Sequence, residues 1–221
     1  MKLGVLFSGG KDSTLAMYLA RKNGYDISCL ISIISENTDS FMFHTPSILE
    51  VEKQAKCMDI PILTIKTKGV KEKELLELEK CIKQSIKKYS IEGIVTGAVE
   101  SVYQASRIQK ICNKLNIECF NPLWQKGQYE LLDNLIKYKF EVIITGVAAY
   151  PLDKEWIGRK IDKSFIKEIK ELEKYKINPA GEGGEFETFV LNCPLFKRKL
   201  KIVDTKISGK DNSFRMEVSV K

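Results

Sequence analysis

The hexapeptide Ser8-Gly-Gly-Lys-Asp-Ser13 joins an apolar run to an amphipathic stretch near the N-terminus. The run at 3–7 is short and apolar, which predicts a buried strand, and residues 12–22 have the apolar spacing of a helix. A strand that passes through a glycine turn directly into a helix is the opening unit of an α/β sheet with parallel strands. The hexapeptide therefore lies at the carboxyl end of a strand, where ligands bind in such sheets.

The chemistry of this loop suits phosphate. Gly9 and Gly10 allow a tight turn and let a ligand approach the main chain closely. The first N–H groups of the following helix face the same space and carry the positive end of the helix dipole. Lys11 adds a full positive charge and Ser13 adds a hydroxyl donor. Such a nest of donors binds phosphate oxygens.

The spacing within the loop excludes a Walker A motif, which requires Gly, four residues and then Gly-Lys-Ser/Thr. Gly4 and Gly9 have the right gap, but Gly10 stands where the lysine is required. The loop instead resembles the pyrophosphate loop of the PP-loop ATPases, which cleave ATP between the α- and β-phosphates. The alternative is a glycine turn that only closes a helix capped by Ser8 or Asp12. That alternative explains neither the double glycine nor the lysine.

Composition indicates an ordinary globular protein, with 43% hydrophobic and 29% charged residues in a chain of 221. No apolar run approaches the roughly 20 residues of a membrane span. Because the N-terminus is itself a core strand, we do not expect a signal peptide. The six cysteines form no Cys-x-x-Cys pair. We therefore expect reduced, small apolar thiols in a cytoplasmic protein rather than a disulfide framework or a zinc site.

The net charge of +7 comes largely from lysines, many of them in 66–88 and 197–210. Lysines that alternate with glutamates usually form a solvated helix face. An acidic protein partner suits this charge. A nucleic-acid partner is less favoured, because aromatic residues are not interleaved with the basic ones and no RNA-binding motif is present.

Strands and helices are expected to alternate over the first half of the chain. The expected strands are 2–7, 27–34, 62–65, 94–96 and 117–120, with helical patterns between them. This alternation predicts an α/β fold, a parallel sheet with helices on both faces, over a domain of residues 1–123. A smaller α+β domain is expected over 124–221. Its expected elements are helices at 129–139 and 161–174 and strands at 141–145, 187–191, 199–206 and 213–219.

The segment 181–188 combines three glycines with the carboxylates Glu182, Glu185 and Glu187. Glycines permit a close approach of the main chain to a bulky ligand, and carboxylates hold Mg²⁺ or a cationic group. The alternative is an exposed acidic loop that leads into a strand.

A second segment, 97–107, joins the end of a predicted strand to a helix. Ser101 is expected to cap that helix. Gln104 and Arg107 are three residues apart and share a helix face, where Arg107 can bind a phosphate or carboxylate. The alternative for Arg107 is an ion pair on the helix surface. His44, the one histidine, lies in a predicted loop and belongs to no multi-histidine metal site.

Five motifs occur in the order seen in the diphthine–ammonia ligase (diphthamide synthase) family, which the chain resembles over nearly its whole length. They are Ser8 to Ser13, Phe43-His-Thr-Pro46, Gly97 to Arg107, Pro122-Leu-Trp124, and Gly181-Glu-Gly-Gly-Glu-Phe-Glu-Thr188. The resemblance implies a PP-loop nucleotide domain of HUP type. It also implies ATP-dependent amidation of diphthine, a modified histidine of translation elongation factor 2, by ammonium.

The resemblance also implies roles for individual residues. Ser8, Gly9, Gly10, Lys11 and Ser13 would hold the ATP phosphates, and the main chain from Ile33 to Ser35 would meet adenine. Asp12 or a carboxylate of the 182–187 loop would bind Mg²⁺. The expected catalytic residues are Lys11, Asp12, Glu182, Glu185 and Glu187. The expected lining of a diphthine cleft between the domains is His44, Gly97, Ser101, Tyr103, Gln104, Arg107, Gly183, Gly184, Phe186 and Thr188. Tyr103 or Phe186 offers an aromatic face to the trimethylammonium group of diphthine.

Several alternatives stay open at this point. A PP-loop ligase of the same fold can act on a tRNA base or a small carboxylate, and a non-catalytic ATP-binding module is a third possibility. The oligomeric state is open, with a homodimer among the choices. Lys11 is expected in a solvent-facing loop.

Overall fold

The computed structural model of the chain describes residues 1–35, 50–67 and 73–221. The chain divides into two compact units. The first contains the described residues of 1–8, 12–44 and 58–124, and the second those of 9–11, 45–57 and 125–221. Within the described ranges, no helix is long and apolar enough to cross a membrane.

The first unit contains a parallel sheet. Its strands are β1 (Lys2–Leu6), β2 (Asp26–Ser35), β3 (Ile62–Thr67), β4 (Gly93–Val95) and β5 (Glu118–Phe120). Their spatial order is β3-β2-β1-β4-β5, and every pair is parallel. The chain builds the sheet outward from β1 in one direction and then in the other. The strand order therefore reverses between β1 and β4, which is where ligands bind in open α/β sheets.

Helices alternate with these strands as the apolar spacing predicts. They are α1 (Lys11–Lys22), α2 (Val51–Met58), α3 (Lys73–Tyr89) and α4 (Val102–Leu115). The buried residues of β2 and β4 pack against the apolar faces of α3 and α4; this core comprises Cys29, Ile31, Ile33, Leu78, Cys81, Ile82, Ile91, Ile94, Ile108, Ile111 and Cys112. Each fully buried Leu or Ile contributes about 1.5–3 kcal/mol. The predicted α/β class is confirmed.

The described residues of the second unit include 51–57 of α2, an antiparallel sheet and two further α-helices. The strands are β6 (Glu141–Val147), β7 (Phe186–Asn192), β8 (Ile202–Lys210) and β9 (Ser213–Val220), in the order β7-β6-β9-β8. The helices are α5 (Gln128–Lys137) and α6 (Lys163–Glu171). Residues of β7 and β9 form a core with Cys57 of α2, which comprises Cys57, Ile143, Phe189, Leu191, Leu200, Met216, Val218 and Val220.

The strand predicted at 199–206 is displaced towards the C-terminus. It covers Ile202–Lys210, because a turn at Asp211 (φ 53°) and Asn212 closes the hairpin with β9 and sets the register between the two strands. The helix predicted at 161–174 is shorter, Lys163–Glu171. It begins where the side chain of Asp162 accepts a hydrogen bond from the N–H of Phe165 (2.9 Å), and a short 3₁₀ helix follows at Glu173–Tyr175.

Candidate functional site

In the first unit, two serine hydroxyls meet at the start of α1. The N–H of Ser8 donates to Oγ of Ser13 (3.3 Å), and the two hydroxyl oxygens are 3.1 Å apart. Ser8 follows β1, and Ser13 lies in the first turn of α1, whose first N–H groups have no partner within the helix. The residues at this end of α1 therefore present hydroxyl and amide donors together, as an anion site requires.

Gly97 lies directly against this helix start. A Cβ at Gly97 would be 2.7 Å from the nitrogen of Ser13 and 2.8 Å from the carbonyl carbon of Asp12. Gly97 follows β4, which pairs with β1, so the ends of two neighbouring strands bring the segments together. Only glycine permits this approach.

The start of α4 is capped as predicted. Oγ of Ser101 accepts a hydrogen bond from the N–H of Gln104 (3.3 Å). The guanidinium carbon of Arg107 lies 3.5 Å from the ring centroid of Tyr103, so the two side chains stack. One face of Tyr103 is therefore covered by a cation of the protein itself. A trimethylammonium group that used this face would have to displace Arg107.

In the second unit, residues 9–11 lie along the free edge of β7. The N–H of Val190 donates to the carbonyl oxygen of Gly9 (3.0 Å), and the N–H of Lys11 donates to Oγ1 of Thr188 (3.1 Å). Gly9 has φ +79°, and a Cβ there would be 2.3 Å from Oε1 of Gln54. The turn is thus fixed by main-chain bonds, and its first residue has to be glycine.

Gln54 is a residue of this site that sequence reasoning missed. It is fully buried, and its Nε2 donates both to the carbonyl oxygen of Gly9 (3.0 Å) and to that of Val190 (2.8 Å). The pattern Val51, Gln54, Ala55, Met58 has the spacing of one helix face, and the other three members are buried hydrophobic residues. A polar side chain within that apolar face was the available sign of a specific partner.

Lys11 is buried, with 4% of its surface exposed, so the expectation of a solvent-facing lysine is wrong. Its Nζ lies 3.8 Å from Oε1 of Glu182 and 5.9 Å from the ring centroid of Phe186. The main chain of Lys11 is bound to Thr188 of β7, and its side chain lies beside Glu182 and Phe186. A buried ammonium needs a charged partner, and Glu182 supplies one.

The glycine-rich loop that carries Glu182 is organised by Glu185. One carboxylate oxygen of Glu185 accepts from the N–H of Asn178 and the other from that of Gly183, both at 2.9 Å. Oδ1 of Asn178 accepts in turn from the N–H groups of Ala180 (3.0 Å) and Glu182 (3.3 Å). These bonds hold Glu182 towards Lys11. The loop is therefore more than an acidic connection, and Glu185 acts on its own loop.

Glu187 is not brought to Lys11. It stands between Phe186 and Thr188, which both contact Lys11, and neighbouring side chains of a strand point to opposite faces. Glu187 is in register with Gly146 of β6, which is in register with Arg215 of β9. Burial raises the pKa of the Glu187 carboxyl to about 7, and the positive charge of Arg215 opposes that rise.

The other predicted site residues have fewer contacts or lie outside the described residues. The side chain of Ile33 is buried in the first core. Pairing of β2 with β1 ends at Ile31, so within the described residues the main chain of 32–35 has a strand partner only in β3. Gly184 is exposed with φ +85°. His44, with the whole motif 43–46, lies outside the described residues, as does the side chain of Ser35.

Asp12, the predicted metal ligand, is partly exposed in the first turn of α1. In the described ranges, no three His, Cys, Asp or Glu side chains are grouped as a metal site would need. Mg²⁺ is commonly bound through one or two carboxylates together with substrate phosphates. Asp12, a single carboxylate beside an anion-binding turn, fits Mg²⁺ binding that is shared with substrate phosphates.

The chemistry of this arrangement, a glycine turn with amide and hydroxyl donors and a buried lysine, agrees with comparisons to known proteins. Residues 1–119 match the model of the diphthamide synthase N-terminal domain, and residues 127–217 match that of the diphthamide synthase C-terminal domain. The chain belongs to the diphthamide synthase family. The family resemblance predicted from the five motifs is thereby confirmed.

Relatives of this diphthamide synthase family member carry the name diphthine–ammonia ligase. The Bos taurus protein is 34% identical over 227 residues, which cover 93% of this chain and 84% of the relative. The Schizosaccharomyces pombe protein is 30% identical, and the match covers 94% of this chain but 37% of the relative. Among solved structures, a predicted subunit of tRNA methyltransferase from Methanocaldococcus jannaschii is 22% identical, with a TM-score of 0.43 over 88% of this chain and 98% of that one.

Proposed function

We propose that this member of the diphthamide synthase family converts the diphthine residue of translation elongation factor 2 to diphthamide, using ATP and ammonium and releasing AMP and pyrophosphate. The relatives named diphthine–ammonia ligase support the ligase class and the use of ATP. The observation that carries the proposal is the buried Lys11, tied to β7 through its main chain and to Glu182 through its ammonium.

The proposed reaction activates a carboxylate before amidation. An oxygen of the diphthine carboxylate attacks the α-phosphorus of ATP, the bond from that phosphorus to the bridging oxygen breaks, and pyrophosphate leaves with the electron pair. Ammonium loses a proton to become ammonia, which attacks the carbonyl carbon of the acyl-adenylate. The bond to AMP breaks, and the nitrogen loses one more proton to give the amide. Activation is required because an amide lies uphill from carboxylate and ammonium.

In this proposal the glycine turn and Lys11 bind the β- and γ-phosphates. Amide and ammonium donors that are already in place stabilise the charge that develops as pyrophosphate leaves. Glu182 keeps the ammonium of Lys11 oriented before ATP arrives. Asp12 would hold Mg²⁺ together with the phosphates, and the ion would neutralise part of the phosphate charge.

We assign diphthine to the segments that follow the phosphate loop in the motif order. Residues 1–123 are proposed as the ATP domain and 124–221 as the substrate domain. Gly97, Ser101, Gln104 and Arg107 are proposed to line the substrate side, with Arg107 available to the diphthine carboxylate. The presence of six free thiols agrees with a cytoplasmic enzyme.

The test of this function is product analysis. The protein is incubated with ATP, Mg²⁺, ammonium and elongation factor 2 in its diphthine form, and each component is omitted in turn. The expected result is AMP and pyrophosphate together with amidated factor, in the complete mixture only. AMP formed without the factor would assign the chain to another PP-loop substrate, such as a tRNA base or a small carboxylate. Bound ATP that is never cleaved would indicate a non-catalytic module.

Lys11 provides the sharpest variant for this assay. Lys11→Met is expected to lower AMP formation by a factor of 100 or more, on the order of 3 kcal/mol of transition-state stabilisation. The same change leaves Glu182, whose side chain is 16% exposed, without its buried cation, which costs about 3–5 kcal/mol of stability. The double variant Lys11→Met/Glu182→Gln removes both charges and is expected to regain stability without regaining activity. A fully active double variant would disprove the phosphate role.

A further inference from the structure

A concave surface lies in the second unit, apart from the residues of the candidate site. We call it the basic cleft and define it by Lys53, Lys56, Arg198, Leu200, Val220 and Lys221, which line about 510 Å³. Leu200 and Val220 are buried and form an apolar floor. Lys53 and Lys56 are three residues apart on α2 and so share one helix face. Neither Lys11 nor Glu182 lines this cleft.

The four cations of the basic cleft are of two kinds. Lys53 is bound by groups of the protein itself. Its Nζ lies 2.8 Å from Oε2 of Glu50 and donates to the carbonyl oxygen of Val220 (2.6 Å). Lys56, Arg198 and Lys221 are exposed, and none of them forms an ion pair with a carboxylate in the part of the chain that the structure describes. The cleft thus has an excess of positive charge at its rim.

The surrounding chain strengthens this charge. The segment 197–210, which contributes Arg198 and Leu200, has six basic residues and one acidic residue. The net charge of the whole chain is +7. This segment and the positive net charge of the chain together attract an anionic partner at long range.

The lining distinguishes between anionic partners. Among the described residues, no aromatic side chain lines the cleft, so these residues offer no stacking platform of the kind on which single-stranded nucleic acids are bound. An apolar floor with a cationic rim suits a peptide in which a hydrophobic side chain is flanked by carboxylates. Three exposed cations that line the cleft together with this floor can pair with carboxylates of such a peptide.

We infer that the basic cleft docks an acidic segment of the protein substrate. The inference rests on the proposed function, in which that substrate is elongation factor 2. A macromolecular substrate needs a binding surface away from the reacting group, and such a surface affects the encounter and KM rather than the chemical step. The basic cleft has the positive charge and the concave shape that such a surface needs, and all of the residues that line it belong to the second unit.

The test reverses the three exposed charges and leaves Lys53 in place, because Lys53 is tied to Glu50 and Val220. The triple variant Lys56→Glu/Arg198→Glu/Lys221→Glu is compared with Lys170→Glu, which reverses one exposed charge on α6. We expect the KM for the diphthine form of the factor to rise about tenfold or more in the triple variant, since exposed pairs contribute up to about 1 kcal/mol each. The kcat, the KM for ATP and both constants of the control are expected to stay unchanged.

Direct binding separates this inference from the proposed function. Titration of the factor with the protein is expected to show weaker binding for the triple variant, and a flatter dependence on salt, whether or not AMP is formed. If the wild-type protein forms no AMP but binds the factor, and the triple variant binds it more weakly, the proposed function is refuted and the docking site is supported. An active enzyme whose KM and binding are unchanged by charge reversal would overturn the docking site alone. Loss of binding to an RNA oligonucleotide, with unchanged KM for the factor, would also overturn it.

Discussion

At the scale of single residues, Glu187 links stability to pH. Its neighbours on β7 contact Lys11, whereas Glu187 is in register with Gly146 and lies near Arg215. Burial disfavours the charged carboxylate, so the folded protein holds a proton that the unfolded chain releases near pH 4.5. This contribution to stability is present below pH 4.5 and is lost as the pH rises towards about 7.

Replacing Glu187 by Gln is expected to remove this pH dependence. Between pH 5 and pH 8 the wild-type protein should lose about 2 kcal/mol of unfolding free energy relative to Glu187→Gln. Urea unfolding of both proteins across this range measures the difference. Glu217→Gln, on the exposed side of β9, is the matched control and should follow the wild-type curve. Parallel curves for wild type and Glu187→Gln would show that Glu187 is ionised in the folded state.

At the scale of elements, the contact between the end of β4 and the start of α1 depends on one missing side chain. The Cβ that an alanine would add at position 97 meets the backbone of α1 rather than the end of a flexible side chain. The helix start would have to move, and with it the amide donors of the phosphate loop. Overpacking of this kind costs about 1–3 kcal/mol.

Gly97→Ala is therefore expected to lower stability by that amount and to raise the KM for ATP by a factor on the order of 10, because misplaced donors bind phosphate less well. Gly127→Ala is the control, since its Cβ would meet only Glu130, at an ordinary 3.9 Å. Thermal unfolding and initial-rate kinetics of the two variants give the comparison. An unchanged KM for ATP in Gly97→Ala would argue against the phosphate role of this helix start.

At the scale of the whole molecule, local pattern and long-range contact differ in how far they can be predicted. The order of strands and helices follows from apolar spacing, and the loop at 8–13 follows from glycine, lysine and serine in a short span. The burial of Lys11 could not be predicted in this way, because Thr188, which binds its main chain, is 177 positions away. The apolar face of α2 marks Gln54 as unusual, but its partners could not be predicted, because Gly9 and Val190 are 45 and 136 positions away. The displacement of β8 came from a turn whose exact place the spacing does not determine.

The thiols give a prediction for the whole molecule. All six cysteines are free, and all except Cys119 are buried. Burial raises the pKa of Cys29 and Cys81 to about 11 and that of Cys193 to about 12. Hydrogen bonding between their side chains raises the pKa of Cys112 and lowers that of Cys119. Since the thiolate is the reactive form, Cys119 should be the fastest to react.

A thiol reagent at pH 8 is therefore expected to modify one cysteine of the folded protein rapidly and the others at least about 100-fold more slowly. All six should react at once in denaturant, and Cys119→Ser should abolish the rapid phase. Because no bond between sulfurs contributes to stability, the melting temperature should be the same with and without reductant. A midpoint that falls by several degrees on reduction would mean that two of these thiols are joined, and the core around α3 and α4 would then owe part of its stability to a covalent link rather than to packing.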